Sequence, residues 1–183
     1  MNNPSLQSHP ALSWDLDELA IELTVYCNLK CEMCSVWEGR KHGVDETLAR
    51  SLLEQARALG AKSFIPCGGE CFVRKDFPSL LAHADALGYE SSEVVTNGLL
   101  LEEHLDALAE LKSVRLHVSI DGPAEVHDAL RGQGVYGKAM AAVRGAVERG
   151  IPTGLSGVIM KPTLDHAHHI LEEYGNPVGS VGH

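Results

Sequence analysis

Between residues 18 and 174, short runs of alternating apolar and polar positions trade places with longer runs of helical period, five times over. In "ELAIELTVYC", Ile21, Leu23 and Val25 fall on one side and Glu22, Thr24 and Tyr26 on the other. That is the period-two pattern of a half-buried strand, here running to Cys27. "VDETLARSLLEQARALG" follows with Leu48, Leu52, Ala56 and Leu59 at helical spacing, Asp45 as N-cap and Gly60 as stop. The same pair of patterns returns as the strand "KSFIPCGGE" and the helix "DFPSLLAHADALG", bounded by Asp76 and Gly88. It returns again as "SSEVVTNG" with "LEEHLDALAEL", as "SVRLHVSIDG" with "VYGKAMAAVRGAVERG", and as "IPTGLSGVIM" with "LDHAHHILEEYG".

No hairpin signal separates the units, so the strands are expected to pair in parallel through right-handed helical crossovers. A barrel and an open doubly wound sheet both satisfy that pattern. Polarity favours the barrel. Cys27, Glu70, Asn97 and Asp121 all fall at the C-terminal ends of their strands. In "RLHVSID", His117, Ser119 and Asp121 share one face while Leu116, Val118 and Ile120 share the other. A polar inner face and an apolar helix-facing one predict an α/β fold of open or partial barrel type with its site at the top. The first dozen residues and the tail "GNPVGSVGH" carry no such pattern and read as loose ends.

Composition narrows the function classes. A chain of 183 residues reads as one domain, and 44% hydrophobic with 22% charged residues is ordinary for a soluble one. A formal charge of −10 argues against nucleic acid and against an anionic membrane surface, both of which select clustered Lys and Arg. No apolar run approaches the roughly 20 residues that span a bilayer, and the start shows neither a basic region nor an apolar one of a secretory signal. Five cysteines, an odd number, are better read as metal or redox ligands than as a disulfide framework. The expected compartment is the cytoplasm.

The cysteines are the sharpest chemical signal. "CNLKCEMC" sets Cys27, Cys31 and Cys34 at spacings of four and three. Structural zinc wants a fourth ligand, usually as a second pair. A thiol redox motif accounts for Cys31 and Cys34 and leaves Cys27 over. An iron–sulfur cluster held by three thiolates uses all three and keeps one iron open for a small molecule.

"CNLKCEMC" matches the C-x3-C-x2-C signature of the radical S-adenosylmethionine (SAM) superfamily, and it is joined in order by "GGE" (68–70), "TNG" (96–98) and "SIDGPAEVHDALRG" (119–132). On these motifs the chain resembles that superfamily over residues 19–174, with 1–18 as an N-terminal extension and 175–183 as a short tail. The resemblance implies a partial parallel (β/α)6-type TIM barrel, of which about five units are present. It implies a [4Fe–4S] cluster on Cys27, Cys31 and Cys34, whose open iron takes the amino and carboxylate groups of SAM. Reductive cleavage of SAM to a 5′-deoxyadenosyl radical would then abstract hydrogen from a substrate, with electrons from a flavodoxin- or ferredoxin-type reductant protein.

Residue by residue, the resemblance assigns Gly68, Gly69 and Glu70 to the SAM amino group, and Ser119 and Arg131 to further SAM contacts. A guanidinium suits a carboxylate by bidentate bonding. Asn97 joins the SAM-binding set through the "TNG" motif. Met33 stands where many relatives place an aromatic near the adenine, and is apolar and adaptable enough to serve. Asp121 and His127 either contact ligand or shape the loop. Cys67 and Cys71 bracket the "GGE" motif, as small buried residues or as further ligands, and Cys71 stands where relatives commonly have proline. His166, His168 and His169 read as solvated imidazoles. No catalytic side chain is assigned.

"VSIDGPAEVHDALRG" most resembles enzymes that mature ribosomally made peptides, sulfatases or tetrapyrroles, so a peptide or cofactor-precursor substrate is expected. "PVGSV", with glycine in its middle, is a poor sixth strand. The chain therefore reads as a fragment, a truncated product or a core completed by a partner. The alternative from another class is a non-catalytic iron–sulfur protein for electron transfer or sensing.

Overall fold

The computed structural model describes residues 16–38, 43–166 and 168. Its five strands, β1 (Glu18–Thr24), β2 (Ser63–Gly68), β3 (Ser91–Thr96), β4 (Val114–Ser119) and β5 (Thr153–Ser156), pair in parallel in strict chain order. A doubly wound sheet reverses its order at a switch point; this one never does. Among the described residues the sheet is an open arc, the partial barrel expected.

Five helices return the chain between strands: α1 (Glu46–Ala58), α2 (Phe77–Ala86), α3 (Leu105–Ala109), α4 (Ala124–Arg131) and α5 (Val135–Glu148). The register explains the two faces of the sheet. Ile21 lies beside Pro66, Val94 beside Leu116 and Val118 beside Leu155 on the helix side. Glu22 lies beside Cys67, Glu93 beside Arg115 and Ser119 beside Ser156 on the other. Phe64, Phe77, Leu80, Leu81 and Leu116 are buried in the layer between strands and helices.

Several expectations need correction. β1 stops at Thr24, three residues before Cys27, because the ladder slips between Glu22 and Thr24 and the chain turns toward the site. In α1 the buried set is Ala49, Leu53 and Ala56: Ala56 is buried as predicted, but Ala49 and Leu53 stand one position beyond the predicted Leu48 and Leu52, and Leu48 and Leu59 are 47% and 68% exposed. Small residues at 49 and 56 let the helix approach the sheet closely, which two leucines would not. Asp45 caps α1 as predicted, accepting from the Leu48 N–H at 2.9 Å. Asp76 stands at the N-cap position of α2 but makes no side-chain cap bond. Its carboxylate binds Arg74 instead, which also donates to the carbonyls of Leu23 (2.6 Å) and Val44.

α3 is shorter than predicted, with a 3-10 turn over Glu102–His104 before it. α4 is a helix the sequence patterning did not name, closed by Gly132 at φ +124°. Leu164–His166 form a 3-10 turn, and His168 is exposed. The rest of the predicted last helix, His169 and the "PVGSV" segment lie outside the described residues, as does the N-terminal extension apart from residues 16–18.

Candidate functional site

At the C-terminal ends of the strands the chain encloses a cavity of about 510 Å³, within the usual size range of small-molecule sites. Its lining includes Cys27, Cys31, Met33 and Cys34 from the loop after β1, and Gly68, Gly69 and Glu70 from the end of β2. Asn97 after β3, Ser119 at the end of β4 and Arg131 at the end of α4 complete the predicted set. Segments more than a hundred residues apart in sequence thus meet in one place.

The two glycines are required by a backbone approach. A Cβ on Gly68 would strike the carbonyl oxygen of Thr24, and one on Gly69 that of Tyr26. Gly68 also holds φ +121°, a conformation favouring glycine. The close contact lets the Gly69 N–H donate to Thr24 O at 2.6 Å and the Glu70 N–H to Tyr26 O at 2.8 Å. The end of β2 is thereby laced to the segment that delivers Cys27.

Glu70 is 2% exposed, and its carboxylate is surrounded by donors. Oε1 accepts from the Phe72 N–H (3.2 Å) and Thr96 Oγ1 (3.0 Å), and Oε2 from the Asn97 N–H (2.8 Å). Burial raises its pKa, opposed by these hydrogen bonds and by Arg131. Asn97 extends the chain of contacts: its Nδ2 donates to Asn28 Oδ1 at 2.7 Å. The tips of β2 and β3 and the cysteine loop form one hydrogen-bonded unit.

On the β4 side, Arg131 donates to Asp121 through both Nε (2.5 Å) and Nη2 (3.1 Å). The bidentate fork expected to face a ligand carboxylate is therefore engaged within the protein, while the guanidinium still lines the cavity. Burial pushes the Asp121 pKa up, but the hydrogen bond and charge of Arg131 outweigh it and hold the carboxyl below its usual range. Asp121 also accepts the Val158 N–H at 3.1 Å, and its own N–H donates to His127 Nδ1 at 3.2 Å. That bond makes Nδ1 an acceptor and leaves the hydrogen on Nε2, which among the described residues has no acceptor. The His127 ring instead meets the Tyr136 ring edge to face at 5.8 Å. Burial, then the nearby Arg131 charge, lower the His127 pKa and keep it neutral. Of the two readings of Asp121 and His127, the structure favours shaping the loop.

The cysteine loop is also tied to the β4 side. The Glu32 N–H donates to Leu130 O at 2.9 Å, joining the loop to α4 just before Arg131. Cys31 is buried, Cys27 half-buried and Cys34 exposed, all as free thiols. Burial raises the pKa of Cys27 and of Cys31, and at Cys31 the Arg131 charge works the other way. Among the described residues no three Cys, His, Asp or Glu side chains converge closely enough for a single metal ion. Three thiols that share a cavity without converging on a point fit a cluster whose corners they bind separately. A guanidinium beside them offsets the negative charge such a group would bring.

Cys67 and Cys71 do not line the cavity. Cys71 is buried, its thiol donates to Cys67 O at 3.7 Å, and burial pushes its pKa up to about 12, the profile of an inert packing cysteine. The sequence reading missed Asn28, Thr96, Trp37, Val158 and Met160. Thr96 stands inside the "TNG" motif and Trp37 is an aromatic three residues after the last cysteine, so both carried a signal. Val158 and Met160, beyond β5, carried none; only the fold brings them to the cavity.

Comparison with known proteins identifies the class. The chain belongs to the radical SAM superfamily, whose profile matches residues 21–173. That superfamily uses a [4Fe–4S] cluster and SAM. A probable GTP 3′,8-cyclase of Archaeoglobus fulgidus is 31% identical over 163 residues, covering 86% of this chain and 54% of the relative. The PqqA peptide cyclase of Xanthomonas campestris is 35% identical over 144 residues, covering 76% of this chain and 38% of the relative. Among solved structures, SuiB of Streptococcus suis bound to S-adenosylmethionine superposes with a TM-score of 0.79 at 23% identity, over 92% of this chain and 40% of SuiB. The chain thus spans about half or less of the length of these relatives. Among the described residues no helix is long and apolar enough to cross a membrane.

Proposed function

We propose that this chain is the SAM-binding core of a radical SAM maturase, with Cys27, Cys31 and Cys34 holding the cluster and SAM lying across the strand tips. The observation that carries it is convergence: residues chosen from four separate motifs line one cavity of suitable size around three thiols. When bound, the cluster and SAM together supply one-electron cleavage of SAM and hydrogen abstraction from substrate.

The protein's part is to bind, orient and enclose. Arg131 places positive charge beside the thiols and the SAM carboxylate, and Asp121 holds that guanidinium in one orientation. Ser119 adds a hydroxyl from the neighbouring strand. Gly68 and Gly69 present backbone toward the SAM amino group, with Glu70 behind them as a buried acceptor that fixes both strand tips. Met33 offers an apolar contact to the adenine. Val36, Val158 and Met160 give the cavity an apolar rim.

A peptide is the substrate class we favour. The PqqA cyclase is named for a peptide, and SuiB has also been solved bound to the precursor peptide SuiA. Electrons would come from a flavodoxin- or ferredoxin-type protein. The test is anaerobic reduction of the reconstituted chain with SAM. Release of 5′-deoxyadenosine is the expected result. Iron loading without any SAM binding or cleavage would instead favour an electron carrier.

A further inference from the structure

The three thiols are not equivalent. The Leu29 N–H donates to Cys27 Sγ at 3.4 Å, and Asn97 Nδ2 lies 4.0 Å from the same sulfur. Among the described residues, Cys31 Sγ and Cys34 Sγ receive no hydrogen bond. The direction of the Asn97 amide is fixed from behind. Its Oδ1 accepts the Leu99 N–H at 3.0 Å, so the NH₂ end must point at the cysteine loop. Its main-chain N–H is anchored on Glu70 at 2.8 Å, and the residue is buried. One hydrogen of Nδ2 goes to Asn28 Oδ1 at 2.7 Å; the other is free to approach Cys27.

We propose that Asn97 is a positioning and redox-tuning residue that sets the reduction potential of the cluster through Cys27. This rests on the cluster assignment above. A donor aimed at a thiolate withdraws charge from the sulfur and stabilises the more negative, reduced cluster more than the oxidised one. Hydrogen bonds to cluster sulfurs are among the terms that fix such potentials. Cys27 is the corner so treated, and the rigid Glu70–Asn97 unit keeps the donor in place whether or not SAM is bound.

The experiment is a reductive titration of the reconstituted cluster, followed by electron paramagnetic resonance, with no SAM present. Asn97→Asp keeps the oxygen that receives the Leu99 N–H and replaces the donor facing Cys27 with a charged acceptor. At a fixed potential it should lower the ratio of reduced to oxidised cluster by about tenfold or more, a negative shift of about 59 mV for a one-electron couple. Asn28→Ala, at an exposed position, removes the competing acceptor and should move the midpoint in the opposite direction. The added carboxylate of Asn97→Asp acts by its charge as well, so the neutral Asn28→Ala variant discriminates: a contact that served only SAM would leave its SAM-free midpoint unchanged. Iron and sulfide content equal to wild type with unmoved midpoints would overturn the inference and leave the cluster assignment standing. A wild type that assembles no iron–sulfur cluster would overturn both.

Discussion

The two walls of the cavity are built differently. On the strand-tip wall the two buried carboxylates are fully engaged: Glu70 collects three donors, and Asp121 collects Arg131 twice and the Val158 N–H. On the cysteine wall, among the described residues, the ties are neutral and more scattered: Cys34 N–H to Cys31 O at 3.1 Å, Glu38 N–H to Ser35 O at 3.0 Å, and struts to the rest of the fold from Glu32 to Leu130 and from Asn97 to Asn28. The fold completes the first wall unaided. With a cluster on the three thiols, as proposed above, that group would complete the second wall, and binding energy there would be ordering energy.

The largest expected effect follows from that difference. Replacing Cys27, Cys31 or Cys34 by alanine should abolish most iron loading after anaerobic reconstitution while leaving the thermal unfolding of the iron-free chain nearly unchanged. Cys67→Ala should do neither. A large loss of apo stability in a cysteine variant would erase the contrast between the walls.

The strand-tip wall should respond oppositely, in stability. Asp121→Asn leaves the Arg131 guanidinium partly buried without its anion, at a cost of about 3 kcal/mol, measured by urea unfolding at pH 7. Because the folded pKa of Asp121 lies below its unfolded value of about 3.9, its stabilisation is complete above that value. It is lost only as pH falls through the lower, folded one. The gap between wild type and variant should therefore persist through mild acid and close below about pH 4.

Glu70→Gln sets an NH₂ group among three donors and should cost about 1–3 kcal/mol in the same assay. The smallest effect is expected at Arg131. Arg131→Lys keeps a cation for Asp121 but loses the planar fork. A lost charge-assisted bond of about 1.5 kcal/mol corresponds to roughly tenfold weaker SAM binding, read by anaerobic titration with iron content as control.

Strand count, parallel order and the polar residues and thiols of the cavity were legible because the latter sit in short motifs near strand ends, where period and chemistry agree. What escaped the sequence was set by tertiary contact. The buried face of α1 turned on Ala49, a small residue that a search for large apolar residues passes over in favour of Leu48. α4 was hidden because "AEVHDALRG" reads first as motif chemistry, although Val126 and Leu130 lie at helical spacing. The engagement of Arg131 by Asp121 could not be foreseen from two residues ten positions apart. Val158 and Met160 reach the cavity only because β5 ends beside β4.

The central claim is that three thiolates in this cavity hold a cluster with an open position for SAM. It is tested most directly by titrating SAM into the anaerobically reconstituted, reduced protein while recording the cluster's electron paramagnetic resonance spectrum. About four irons per chain and a saturable change of the spectrum as SAM binds are expected. Stoichiometric zinc in place of iron, or a loaded cluster whose spectrum is indifferent to SAM, would contradict it.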